Sequence, residues 1–193
     1  WLRAAFFEKE HGTRESLETL LQQAVANCPQ AETLWLMGAK SKWLAGNVEA
    51  ARHILGIAFQ ANPKSEDIVL AAVKLESENN EFDRARKLLK KARNSATTPK
   101  VYVRSAKLEW ALDNQREALS LVKEGLDLFA TADKLWMMKA QLQSSLGKTD
   151  KVRETYSLAV KKCPNCIPLW CLMADFEQSQ KNDTKARSTI EKA

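Results

Sequence analysis

A fixed period of about 34 residues runs through the whole chain. Trp1, Trp35, Val69, Tyr102, Trp136 and Trp170 recur at intervals of 34, 34, 33, 34 and 34 residues. Other columns keep the same ruler. Four positions after the aromatic stands a mostly small side chain: Ala5, Ala39, Val73, Ala106, Ala140, Ala174. Sixteen positions on come Leu17, Ala51, Ala85, Ala118, Val152 and Ala186; twenty on come Leu21, Leu55, Leu89, Val122, Tyr156 and Ile190. At twenty-three come Ala24, Ala58, Ala92, Gly125, Ala159 and Ala193, and Pro29, Pro63 and Pro164 close three of the units. A repeat of this length is one supersecondary unit that cannot bury its apolar face alone, so it must stack on its neighbours.

Within each unit, two stretches of helical periodicity flank a short polar break, as at Ala45-Gly46-Asn47, Asn79-Asn80 and Leu146-Gly147-Lys148. In the third unit Ala85, Leu88, Leu89 and Ala92 fall at i, i+3, i+4 and i+7, one apolar stripe with charged flanks. Small columns let helix backbones approach closely, and the aromatic column supplies a ring to fill the space between hairpins. The expectation is an all-α, right-handed superhelical solenoid of six tandem hairpins (1–34, 35–68, 69–101, 102–135, 136–169 and 170–193), with Trp1, Trp35, Tyr102, Trp136 and Trp170 as packing residues. Solenoids normally carry polar capping helices. None is legible here, so we expect a piece of a longer array whose uncapped ends are capable of self-association.

Composition excludes several classes. With 45% hydrophobic and 28% charged residues the chain reads as a folded protein, and no apolar run approaches the ~18 residues that cross a bilayer. The amino-terminal stretch WLRAAFFEKE lacks the apolar core and cleavage site of a secretory signal. Four cysteines are too few and too uneven to frame the chain with disulfides, which favours a reducing compartment. Cys163-Pro-Asn-Cys166 has the spacing of half a zinc site, but Cys28 and Cys163 share a repeat column immediately before proline, where a small helix-end residue suffices. The two histidines, His11 and His53, sit in different units, and no phosphate loop or nucleophile motif is present. The reading is non-enzymatic, without cofactor or metal.

Seven positions after the aromatic, where the tetratricopeptide pattern places Tyr, stand Glu8, Lys42, Glu76, Glu109, Gln143 and Glu177; seventeen positions after it come Arg52, Arg86, Arg153 and Arg187. An aromatic, then Glu, then Ala-Arg in the second helix resembles the half-a-tetratricopeptide (HAT) repeat of RNA-processing scaffolds. The family's Glu and Arg occur together in the third unit (Glu76, Arg86) and the sixth (Glu177, Arg187), where the resemblance implies an ion pair within the repeat. The other four units depart from the pattern. The segments WLRAAFFEKEHGTRESL, LWLMGAKSKWLAGN, AFQANP, AAVKLESEN and LWMMKAQL resemble the HAT-bearing pre-mRNA-processing factors beyond the core columns. That resemblance implies a nuclear scaffold of the spliceosome, binding U5 and U4/U6 snRNP proteins and helping to join the two particles in the tri-snRNP.

Two surface features are candidates for partner contact. Arg84, Lys87, Lys90 and Lys91 lie in a second helix with six basic residues between positions 84 and 93, suited to an acidic partner or phosphates, although such runs on helices more often simply face water. Trp43 and Trp110 occupy a column that is polar in the sister units and are expected to be exposed. With +6 net charge and its aromatics spent on packing, the chain is expected to touch RNA only indirectly or slightly. The alternatives are a generic tetratricopeptide adaptor and a solenoid that contacts RNA directly.

Overall fold

A computed structural model describes residues 1–95 and 98–191, and all regular structure among them is helical. The helices are α1 (Leu2–His11), α2 (Arg14–Asn27), α3 (Glu32–Leu44), α4 (Val48–Ala61), α5 (Glu66–Glu78) and α6 (Phe82–Ser95), then α7 (Pro99–Ala111), α8 (Gln115–Leu128), α9 (Asp133–Ser145), α10 (Thr149–Lys162), α11 (Ile167–Ser179) and α12 (Asp183–Ile190). The chain divides into two units, Trp1–Thr97 with α1–α6 and Thr98–Ala193 with α7–α12, three hairpins in each.

The turn inside each hairpin has one recurring cause. In five of them the eleventh residue after the aromatic column is left-handed: Gly46, Asn80, Asp113, Gly147 and Lys181, with φ between 60° and 78°. Gly46 N–H then donates to the Trp43 carbonyl at 2.8 Å and Asn47 N–H to the Lys42 carbonyl at 3.0 Å, the paired bonds that close a Schellman turn. The six-to-one bond repeats onto the carbonyls of Glu76, Glu109, Gln143 and Glu177. Gly12, in the same column, is extended instead, and Thr13 caps α2 through a reciprocal bond with Ser16.

Between hairpins the aromatic column fastens the turn. The indole N–H groups of Trp35, Trp136 and Trp170 each donate at 2.8 Å to a carbonyl six residues earlier, those of Pro29, Ala130 and Pro164. Tyr102, whose ring carries no N–H, donates its hydroxyl to Glu124 at 2.8 Å.

The small columns are the core. Ala5, Val73, Ala106 and Ala140 are fully buried, as are Ala51, Ala85, Ala118, Ala24, Ala58 and Ala159. Gly125 takes the place of alanine because a Cβ there would stand 2.9 Å from Tyr102 Cβ and 3.0 Å from Leu135 Cδ1. In the first unit Ala5, Leu17, Leu21, Ala24 and Leu34 form one cluster, and Trp35, Ala39, Ala51, Leu55, Ala58, Ile68 and Leu75 another. The second unit packs Tyr102, Val122, Leu135, Trp136 and Leu169 together, with Ala140, Val152 and Tyr156 beside them.

Within each unit the backbones of first helices of successive hairpins approach one another, α1 with α3, α3 with α5, α7 with α9 and α9 with α11, whereas among the described residues the backbones of second helices approach only those of first helices. The backbones of successive second helices therefore stand apart, with a groove between them that side chains such as Lys91, which reaches over the Phe59 ring, only edge. Two column members depart from the expected burial: Trp1, which precedes α1, is 48% exposed, and Ile190 on α12 is 63% exposed, each at an outer edge of its unit. Ala193 lies outside the described residues.

Candidate functional site

The charged columns meet between hairpins, not within them. Arg52 on α4 grips Glu76 on α5 of the next hairpin with two parallel bonds, Nε to Oε1 at 2.8 Å and Nη2 to Oε2 at 2.7 Å. Arg153 on α10 holds Glu177 on α11 in the same way, Nε to Oε1 at 2.7 Å and Nη2 to Oε2 at 3.3 Å. Both pairs span 24 residues, from position 17 of one repeat to position 7 of the next. Glu76 and Glu177 are therefore partnered by Arg52 and Arg153, which corrects the expectation of Glu76–Arg86 and Glu177–Arg187 pairs inside one repeat. Geometry explains the shift: the first helix of each hairpin packs against the second helix of the preceding one, bringing those two columns face to face. Arg86 reaches Asp83 one turn back at 3.3 Å, and Arg187 lies exposed on α12.

The first junction carries the same pair with its charges exchanged. Lys42 on α3 donates to Glu18 on α2 at 2.5 Å, and Arg14 approaches the other oxygen of Glu18 at 3.2 Å. Bonding to Lys42 holds the Glu18 carboxyl below the usual carboxylate range, with Arg14 acting in the same sense against the cost of burial. Glu177 is lowered for the same reason by Arg153, helped by Asn182, whose amide donates to Oε2 at 3.1 Å. Arg52 is held even more firmly protonated by Glu76. Where the two columns are Leu119 and Gln143, no charge needs a partner: Leu119 packs on the core and Gln143 accepts from the Thr155 hydroxyl at 2.7 Å. Sequence reasoning missed this rule because it sought the pair inside one repeat. The signal was the 24-residue spacing, along which Glu18 precedes Lys42, Arg52 precedes Glu76 and Arg153 precedes Glu177.

The structure separates the candidate surface residues. Trp43 and Trp110 are half-buried against the cores of their units, a correction to their expected exposure, and the Lys74 ammonium lies 5.6 Å from the centre of the Trp43 ring. Arg84, Lys87, Lys90 and Lys91 are all exposed on α6. Arg84 approaches Glu81 at 3.9 Å, a solvated pair of little energetic weight, and the Lys91 ammonium stands 4.8 Å over the Phe59 ring. Arg84, Lys87 and Lys91 share one face of the helix by their i, i+3, i+7 spacing, while Lys90 points from an adjacent face.

Cys28 and Cys163 each end a second helix, their N–H groups bonded at 2.8 Å to Ala24 and Ala159. Burial pushes the Cys163 thiol up, assisted by Cys166 and Asp133, and the Cys166 thiol donates to Asp133 at 3.6 Å. A raised thiol is a poor nucleophile and a poor metal ligand at neutral pH. His11 leans on Phe7, ring centres 4.9 Å apart, and His53 is exposed on α4.

Stacked helical hairpins, left-handed turn residues in register and pairing from one repeat to the next define a tetratricopeptide-like helical-hairpin fold. The tetratricopeptide repeat family model matches residues 42–107. The chain is 42% identical across all 193 residues to pre-mRNA-splicing factor prp1 of Schizosaccharomyces pombe, covering 21% of that protein. A stretch of 52 residues is 59% identical to pre-mRNA-processing factor 6 of Homo sapiens, covering 27% of this chain and 6% of that protein. Among solved structures, the C-terminal part of a TPR repeat-containing protein from Cytophaga hutchinsonii superposes with a TM-score of 0.66 at 15% identity, covering all of this chain and 77% of that one, a likeness of fold alone. The fold is thus one of tandem tetratricopeptide-like helical hairpins, and the chain is similar, end to end, to a stretch of the splicing factor prp1, spanning about a fifth of that protein's length.

Proposed function

We propose that the chain is a non-enzymatic protein-interaction scaffold in pre-mRNA splicing, acting in the nucleus. The observation that supports this most is the 42% identity to a splicing factor over every residue of the chain. Identity at that level extends beyond the repeat columns, which make up a minor share of each unit. In this reading the six hairpins belong to one array that holds U5 and U4/U6 snRNP proteins in register and helps join the two particles. Stacked hairpins suit such work because they offer rigid, repeated surfaces over a long span. Trp1, Trp35, Tyr102, Trp136 and Trp170, with the charged pairs, set the geometry, while the partner surface is drawn from α6 and from the neighbourhood of Trp43 and Trp110.

The test is capture from nuclear extract by the tagged chain, with and without nuclease, followed by identification of the bound proteins and small nuclear RNAs. Capture of U5 and U4/U6 proteins that survives nuclease is the expected result. Capture abolished by nuclease would replace the scaffold with RNA tethering, and capture of no splicing protein would refute the reading.

A further inference from the structure

In the first unit the spaces between second helices form two equivalent apolar grooves. The first, of ≈ 300 Å³, is lined by Leu21, Val25, Trp35, Gly38 and Ile54 of α2, α3 and α4. The second, of ≈ 230 Å³, is lined by Leu55, Phe59, Ala72 and Leu88 of α4, α5 and α6. A shift of 34 residues carries Leu21 onto Leu55, Val25 onto Phe59, Gly38 onto Ala72 and Ile54 onto Leu88. The Glu18–Lys42 and Arg52–Glu76 pairs take equivalent places in the two linings, where each charge already has its partner.

The second unit shows what belongs in such a groove. There the column of Gly38 and Ala72 holds Lys139 and Met173. The half-buried Lys139 side chain lies along Trp136, its ammonium 5.0 Å from the ring centre, and Met173 packs against the core beside Trp170. The chain's own long, unbranched side chains cover these places. Gly38 and Ala72 provide none, and a Cβ added to Gly38 would meet nothing within 4 Å. A large apolar side chain from outside would therefore desolvate the aliphatic lining of each groove, Leu21, Val25 and Ile54 in the first and Leu55 and Leu88 in the second. The second groove, moreover, is edged by Lys91, and Lys91 continues the exposed stripe of Arg84 and Lys87 along α6. Its lip is positive.

We propose that the first unit docks an acidic segment of a partner protein, which lays one long apolar side chain, methionine or leucine, into each of the two grooves and turns its carboxylates toward Arg84, Lys87 and Lys91. This rests on the scaffold reading and gives that reading a partner chemistry. Nucleic acid fits less well, because the ring in the first groove is 9% exposed and the one in the second is covered by Lys91, leaving little face for base stacking.

The decisive variant fills the grooves from within. Gly38→Met with Ala72→Met supplies the side chain that Met173 already provides in its own repeat, and the first change also relieves a helical glycine. Short labelled peptides of glutamate, serine and alanine, carrying two leucines or methionines at graded spacings, are titrated against the full chain by fluorescence anisotropy. A lysine-for-glutamate set and a uridine oligonucleotide are run alongside. The expected result is binding of acidic peptides at a preferred spacing, weakened about tenfold or more in the filled variant. Circular dichroism should show that variant melting no lower than the parent. Arg84→Glu with Lys87→Glu should weaken binding similarly and blunt its salt dependence. Undiminished binding to the folded, filled variant, equal binding of the lysine peptides, or binding of the oligonucleotide alone overturns the proposal. Nuclear-extract capture separates the two readings. Splicing proteins captured equally by parent and filled variant refute the grooves and leave the scaffold, whereas groove-dependent peptide binding without splicing proteins refutes the scaffold reading.

Discussion

Exchanging the charges of the Arg52–Glu76 pair should reproduce, one hairpin later, the arrangement that Glu18 and Lys42 already form. Glu76 is 8% exposed and Arg52 19%, and two charge-assisted bonds of 2.8 and 2.7 Å join them. Removing one partner of a buried pair costs about 3–5 kcal/mol because the other charge is left unpaired. The partial exposure of Arg52 lets water compensate in part, so about 2–3 kcal/mol is the expected loss for Glu76→Lys or for Arg52→Glu alone. The double exchange should recover about 2 kcal/mol of the summed losses, a coupling within the range found for contacting residues. Full recovery is not expected, since the carboxylate introduced by Arg52→Glu would stand one turn from Glu49, which now bonds Arg52 at 2.6 Å. Urea denaturation followed by circular dichroism reads the effect: with a slope of about 1–3 kcal/mol/M, each single variant should lose roughly 1–2 M of midpoint, and the double should lose about as much as one single variant rather than the sum of the two. Single losses that simply add in the double variant would show that position 17 of one repeat is not coupled to position 7 of the next.

Three further outcomes follow from particular contacts. Gly56→Ala should stabilise by up to about 1 kcal/mol, because its Cβ meets open space and alanine is the better helix former, whereas Gly125→Ala should destabilise by about 1–2 kcal/mol through collision with Tyr102; thermal melts of opposite sign check both. Lys181→Gly should stabilise by about 1 kcal/mol by relieving a left-handed residue at φ 60°, and an unchanged melting temperature would show that the turn carries no strain. The Glu177 carboxyl has its folded pKa lowered by Arg153, so its contribution is fully present above the unfolded value of about 4.3 and is lost as pH falls through the folded value. Stability against urea should accordingly fall on acidification below about pH 4.3, less steeply in Glu177→Gln, and an identical slope in the two proteins would contradict the assignment.

The period of about 34 residues was enough to determine the hairpins, their number and most of their core, because spacing along a helix dictates which side chains share a face. Small residues at positions 4, 16 and 23 had to be buried wherever two helices cross closely, and Ala5, Ala51 and Ala58 are. The polar break was legible too, yet that Lys181 would share the left-handed geometry of Gly46 was not, since nothing in lysine favours it. What only the tertiary structure decided is which columns meet. Sequence places Glu76 ten residues from Arg86, but stacking puts α5 against α4, and the carboxylate finds Arg52 instead. Exposure of Trp43 was misjudged for the same reason: a side chain's burial depends on the neighbour that covers it, and here Lys74 of the next hairpin lies over its ring. The open grooves lay equally out of reach, for a glycine in a helix reads as a weakness until the absence of any atom within 4 Å of its would-be Cβ shows it to be space.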